Sequence, residues 1–262
     1  MAEPVMKNSA PKTGEREKRL LLVVDGNGSH LYYMGILLQR LDYNIHTAKT
    51  MEDAMEIVEV GEPALVLSEI SLIGTDGIEL LKKMKRNPRS YAIPVIILTS
   101  SKDPAAKETC LREGCTAFFK KPVEPDMLYA AIQKATESTP RQYIRLNTCL
   151  NVIVGEEASA ANAVIDDYIT ALSENGMYVS TSKPKPVGLQ IAIKILLEGS
   201  TISVEGMVLY SFQRGEGPMK TAGMGIKFVR IDPDDQRVIR SFIKREITKG
   251  LLTAAHIGGT IM

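Results

Sequence analysis

From Leu20 the chain alternates short continuous apolar runs with amphipathic segments. The runs are Leu20–Asp25, Asn44–Ala48, Ala64–Glu69, Pro94–Ser100 and Ala117–Lys121. Between them, over 29–41, 51–60, 77–87, 103–114 and 125–137, apolar residues recur at three and four, the spacing of one helix face. A strand with no polar face must be buried on both sides, which means a parallel sheet with helices above and below. Repeated βα units between 18 and 137 predict a doubly wound five-stranded (βα)5 domain of the α/β class, with its site beyond the carboxyl ends of the strands.

The segment Thr136–Arg145 (TESTPRQYIR) breaks this rhythm with Pro140 and small polar residues, and the domain boundary is placed there. Alternation at period two follows. It predicts strands over Cys149–Val154, Ala163–Leu172, Met177–Ser182, Leu189–Leu197, Thr201–Phe212 and Gly225–Ile231. These form an antiparallel β-barrel with loops at 183–187 and 213–223. One helix closes the pattern. Asp232 or Asp234 caps it, Pro233 sits early, and Val238, Ile239, Phe242 and Ile247 form its apolar stripe. Residues 1–17 read as a disordered tail, and 250–262 carry no assignable pattern. The division is thus a tail at 1–17, an α/β domain at 18–137, and a β domain with C-terminal helix and tail at 138–262.

Composition narrows the function classes. Of the 262 residues, 44% are hydrophobic, enough for two cores, and the net charge is +1, so no broad DNA or RNA footprint is expected. No apolar run is long enough to cross a bilayer, and the polar N-terminus lacks an apolar signal core. A cytoplasmic protein with no membrane association is the expectation. Cys110, Cys115 and Cys149 show no CxxC spacing, which fits a reducing compartment and predicts no zinc site. His30, His46 and His256 are scattered and predict core or surface roles, while the Lys82, Lys83, Lys85 and Arg86 cluster predicts a solvated helix face. With no nucleophile–base set and no Walker-type loop, the sequence predicts no enzyme.

Several segments of the first domain carry a family pattern: VVDGN after the first strand, LVLSEISLIGTDGIELLKKMK around the third, PVIILTS at the fourth and FFKKP after the fifth. Together they resemble the receiver domain of bacterial response regulators. The resemblance puts Asp25 on the first of two acidic positions, Glu69 on the phosphoacceptor aspartate, Thr99 on the switch hydroxyl, Phe118 on the switch aromatic and Lys121 on the site lysine. The second acidic position, which holds Mg²⁺ in the family, is Gly26. Phosphoryl transfer depends on positioning and charge neutralisation. Glu69 adds a methylene and Gly26 removes a hard oxygen ligand. A degenerate receiver is therefore expected, without phosphorylation and without a metal. Two readings of Glu69 stay open: a fixed charge holding an activated-like conformation, or an inert partner of Lys121 in a domain kept for its surfaces.

In the second domain, Arg141 and Arg145 form an RxxxR pattern just before the first barrel strand. Ser173 and Gly176 form SxxG in ALSENGMYVS, and GMGIKFVRIDPDDQRVIRSFIKREI closes the barrel. Together these resemble a PilZ domain, the receptor module for cyclic di-GMP. Arginine offers a planar fork for guanine O6 and N7, charge for phosphate and a stacking face. Ser173 can reach a phosphate oxygen, and Gly176 allows close approach. Family members usually carry Asp or Asn two residues before the serine. Here Ala171 stands there, a lost base contact of ~1–3 kcal/mol.

The resemblances imply a bacterial signalling effector: Arg141, Arg145, Ser173 and Gly176 bind cyclic di-GMP, and the signal passes to protein partners. Every expected contact lies beyond residue 138, so nucleotide binding is expected to be independent of the receiver. Two other readings stay open: a non-enzymatic adaptor that has lost nucleotide binding, as Ala171 would allow, and a phosphorylation-gated response regulator, which Gly26 and Glu69 oppose.

Overall fold

The structure is a computed structural model that describes residues 18–155, 167–217 and 220–251. The expected tail, residues 163–166 of the expected second barrel strand, His256 and nearly all of 250–262 lie outside these. The first part runs β1 (Leu20–Val24), α1 (Gly28–Arg40), β2 (Asn44–Ala48), α2 (Met51–Gly61), β3 (Leu65–Ser68), α3 (Gly77–Arg86), β4 (Val95–Thr99), α4 (Ala106–Arg112), β5 (Ala117–Lys120) and α5 (Pro125–Thr136). The second runs β6 (Leu146–Val154), β7 (Asp167–Ser173), β8 (Gly176–Ser180), β9 (Gln190–Leu197), β10 (Ser200–Phe212), β11 (Gly223–Ile231) and α6 (Pro233–Thr248).

The first five strands form a parallel sheet of order β2-β1-β3-β4-β5. The continuous apolar runs occupy its centre: Leu21 to Val24, Leu65 to Leu67 and Val95 to Leu98 are all buried. Alternate residues supply one core, in which Leu22, Val24, Val66 and Ile97 pack with Met55, Leu80, Leu81, Met84 and Cys110. Local chemistry fixes the helix starts. The side chains of Asn27, Thr50 and Asp76 accept the first free amides of α1, α2 and α3, and Pro125 opens α5. Helix α4 is shorter than expected. The Asp103 carboxylate accepts the Ala105 amide in a turn ahead of it, and Gly114, at φ +92°, follows its end.

The remaining strands close into a barrel of order β10-β11-β8-β7-β6-β9. Its core comes from alternating positions such as Ile191, Ile193, Ile195 and Leu197 on β9 and Ile202, Val204 and Val208 on β10.

Packing divides the chain into two compact units. One holds the described residues of 148–171 and 176–232, the body of the barrel. The other holds 18–147, the turn 172–175, and the chain from Pro233 onward. Helix α6 thus packs in the same unit as the parallel sheet. Pro233 is its first residue, which puts Asp232 at the cap position and Asp234 inside the first turn. Its buried stripe is Ile239, Phe242, Ile243 and Ile247. Val238, expected in the stripe, is 43% exposed. At 100° per residue it falls off the face shared by 239, 243 and 247, and Ile243 takes that place.

Candidate functional site

The carboxyl ends of the parallel strands bring together four of the expected residues. Asp25 follows β1, Glu69 follows β3, Thr99 ends β4 and Lys121 follows β5. Lys121 Nζ lies 2.6 Å from Asp25 Oδ2 and 2.7 Å from Glu69 Oε2, so one ammonium holds both carboxylates. Asp25 Oδ1 accepts the Asn27 amide at 2.8 Å. Glu69 Oε1 accepts the amide of the next residue, Ile70, at 2.7 Å, and its Oε2 accepts that of Ser100 at 3.1 Å. The extra methylene of Glu69 is accommodated by folding the carboxylate back onto its own chain. Thr99 is fully buried, and its hydroxyl oxygen accepts the Ser101 amide at 3.0 Å. Phe118 packs half-buried against the same core.

Burial pushes the Asp25 carboxyl up, but the His30 ring, the Lys121 ammonium and the Asn27 amide prevail and hold it at about 2. Glu69 is likewise lowered. Burial opposes ionisation there, and Lys121, the Thr99 hydroxyl and the Ile70 amide override it. Both groups are carboxylates at neutral pH.

One member of this cluster was not expected. His30, in the first turn of α1, places its buried Nδ1 2.7 Å from Asp25 Oδ2 without an aligned hydrogen bond. Asp25, His30, Glu69 and Lys121 line an opening of about 520 Å³ together with Asn27, Ser71, Leu72, Ile73, Ser100 and Ser101. A Cβ built at Gly26 would come 3.0 Å from Ile73 Cγ1, so a side chain there requires the Ile73 side chain to give by a few tenths of an ångström. A hard divalent cation wants several oxygen ligands. Asp25 and Glu69 already share Lys121 and Gly26 offers no side-chain oxygen, so the donor set does not fit such an ion. Among the described residues no group of three metal-ligating side chains occurs. Cys110 and Cys115 are buried and Cys149 is exposed, all as free thiols, and burial pushes Cys110 up to about 11.

The second set of expected residues is distributed over the chain between α5 and β8. The Arg141 amide donates to Gln133 Oε1 on α5 at 3.0 Å, and Gln133 Nε2 donates to Tyr43 Oη at 2.8 Å. Ile144 is buried, while Arg145 is exposed. Ser173 is the last residue of β7 and half-buried, next to fully buried Leu172. Gly176 opens β8, and a Cβ there would come 2.5 Å from the Ile226 carbonyl oxygen on β11. The close approach that makes glycine necessary is thus to a neighbouring strand. Arg141, Arg145 and Ser173 fall in the unit with the parallel sheet, and Gly176 is the first residue of the barrel segment that follows.

The turn between Ser173 and Gly176 has partners that sequence reasoning missed. Gln236 Nε2 on α6 donates to the Glu174 carbonyl at 3.3 Å and to Asn175 Oδ1 at 2.8 Å. Arg240, one turn on, pairs with Glu174 Oε2 at 2.7 Å. The i, i+4 spacing of Gln236 and Arg240 was the available signal.

Comparison with known proteins matches residues 21–133 to the response regulator receiver domain and residues 139–245 to the PilZ domain. Response regulator Rre1 of Synechocystis sp. is 31% identical over 114 residues, covering 44% of this chain and 49% of that protein. Transcriptional regulatory protein ZraR of Escherichia coli K12 is 34% identical over 120 residues, covering 45% of this chain and 26% of that protein. The chain thus spans half or less of these relatives. The solved chemotaxis response regulator CheY4 of Vibrio cholerae is 22% identical at a TM-score of 0.42, covering 45% of this chain and 98% of its own. Among the described residues no helix is long and apolar enough to cross a membrane.

Proposed function

We propose, for a chain that joins a response regulator receiver domain to a PilZ domain, that it is a bacterial cytoplasmic effector which binds cyclic di-GMP and passes the signal to protein partners. A receiver followed by a PilZ domain is the composition of a signalling protein with a cyclic di-GMP-binding module. The observation that carries the reading is the PilZ match over 139–245, which contains both RQYIR and SENG. Arg141 and Arg145 supply forked donors for guanine edges and phosphates, Ser173 a phosphate contact, and Gly176 the backbone shape. No catalytic role is assigned to any residue.

The receiver acts without phosphorylation in this reading. Its two carboxylates share one lysine, and the Gly26 position offers no metal ligand, so an incoming phosphoryl group meets neither a free acceptor nor a charge-neutralising ion. Titration calorimetry of the full chain should show cyclic di-GMP binding on the order of micromolar. Arg145→Ala should weaken it by ~1.5–3 kcal/mol, the range for a charge-assisted hydrogen bond. Cyclic di-AMP should bind much more weakly, because adenine presents an amino donor where guanine presents O6. Arg145→Ala binding like the unaltered chain rejects the site. Incubation with acetyl phosphate and Mg²⁺ should add no mass to the protein, and an adduct on Glu69 would reject the phosphorylation-independent reading.

A further inference from the structure

The nucleotide motif of the preceding reading is a short turn, and a turn binds well only if its shape is held before the ligand arrives. Helix α6 holds this one. Gln236 grips the Glu174 carbonyl and the Asn175 side chain, and Arg240 grips the Glu174 carboxylate, so both residues between Ser173 and Gly176 are tied to a single helix face. The same helix meets the other motif. Gln142, Tyr143 and Ile144, between Arg141 and Arg145, line a small cavity of about 30 Å³ together with Arg240, Ile243 and Lys244. One helix therefore contacts the segments that carry all three polar candidates, Arg141, Arg145 and Ser173.

At its far end α6 is fastened to the receiver. Arg40, the last residue of α1, donates from Nη1 to the carbonyls of Ile247 at 2.9 Å and Lys249 at 2.8 Å. These carbonyls lie at and just beyond the end of the helix, where the negative end of its dipole favours a cation such as the Arg40 guanidinium. Lys244 pairs with Glu124 at the start of α5. Arg40 belongs to the helix capped at its start by Asn27, whose amide is bound to Asp25.

Resting on the reading of the PilZ segment as a cyclic di-GMP site, we propose that Gln236 and Arg240 are positioning residues for that site. Helix α6, anchored by Arg40, makes nucleotide affinity depend on the receiver. The receiver then needs no phosphoryl group to matter, because any partner that shifts α1 or α5 moves the helix that shapes the turn. By linkage, nucleotide binding changes the affinity for such a partner by the same factor.

The test uses the full chain with cyclic di-GMP as the probe. Affinity is measured by calorimetry, and amide exchange across 172–177 is followed without nucleotide. Gln236→Glu keeps size and shape but replaces the donating amide with oxygens that face the Glu174 carbonyl and Asn175 Oδ1. It should weaken binding roughly three- to tenfold, the range of one to two lost hydrogen bonds, and speed exchange in the turn. Arg240→Ala should do the same, and Arg240→Lys should recover most of the loss. Arg40→Ala, which touches neither motif, should weaken binding in the same direction. Unchanged affinity and exchange in both Gln236→Glu and Arg240→Ala overturn the proposal, and unchanged affinity in Arg40→Ala overturns its receiver anchor. If the unaltered chain does not bind cyclic di-GMP, the functional reading is what fails, and the exchange comparison alone then decides whether α6 holds the turn.

Discussion

At the scale of single residues, the Asp25–Lys121–Glu69 cluster is a pH-dependent contribution to stability. The Asp25 carboxyl sits at about 2 in the folded chain against an ordinary 3.8. A lowered carboxyl stabilises the fold fully above pH ~4, and that stabilisation is lost as pH falls from about 4 to about 2. The shift corresponds to about 2 kcal/mol at neutral pH. Glu69, also lowered, adds in the same direction. Asp25→Asn should therefore cost about that much at pH 7 and show a shallower acid loss than the unaltered chain. Denaturant melts at pH 7, 4 and 2.5 check this, and parallel acid profiles for the two proteins would refute it. Asp25, Glu69, Thr99 and Lys121 were legible through the segments VVDGN, LVLSEIS, PVIILTS and FFKKP that resemble the receiver family, and the apolar runs these segments follow place them at the carboxyl edge of a doubly wound sheet. His30 was not legible. Its contact with Asp25 depends on where Asn27 starts α1, a detail that spacing along the chain does not carry.

Among the elements, the barrel shows an aromatic row over glycine. Gly225 on β11 pairs with Tyr178 on β8 and Tyr210 on β10. The two rings lie 6.2 Å apart, and Phe212 continues the row at 5.6 Å from Tyr210. A Cβ at Gly225 would come 2.1 Å from Tyr210 Cζ, so the ring rests on the bare backbone and shields it. Gly225→Ala should push the ring out and cost ~1–3 kcal/mol in urea melts, the range for overpacking. Combining it with Tyr210→Ser should recover part of the loss, because the clash disappears with the ring. Equal midpoints for Gly225→Ala and the unaltered chain would contradict this packing. Period-two alternation made these strands readable in sequence, but the expected β11 began at Gly225 and missed Gly223 and Met224. Strand β6 likewise starts at Leu146 rather than Cys149 and takes in the polar residues Asn147 and Thr148. Sequence spacing registers which side chains alternate, and misses positions where glycine serves a ring on another strand.

For the whole molecule, the linear order of motifs and the packing lead to different expectations. Along the sequence every candidate nucleotide contact lies after residue 138, which predicts binding independent of the receiver. In the structure α6 packs in the same compact unit as 18–147, and Arg40 donates to the carbonyls of Ile247 and Lys249 at its end. The sequence could not show this, because an amphipathic helix states that it has an apolar face and not what covers it. A fragment of residues 138–262 retains Gln236, Arg240 and the turn but lacks Arg40, Glu124 and Gln133, which donates to Tyr43 and accepts the Arg141 amide. It leaves α6 without its receiver anchor and leaves the segment before β6 without α5. The fragment should therefore show less helix by circular dichroism than the same residues contribute to the full chain, melt at lower temperature, and bind cyclic di-GMP more weakly. Raising the nucleotide concentration should restore part of the lost thermal stability, because a ligand that binds the ordered form pulls the equilibrium toward it. If the fragment matches the full chain in helix content, melting and affinity, α6 is an independent part of the β domain and the receiver contributes nothing to its order.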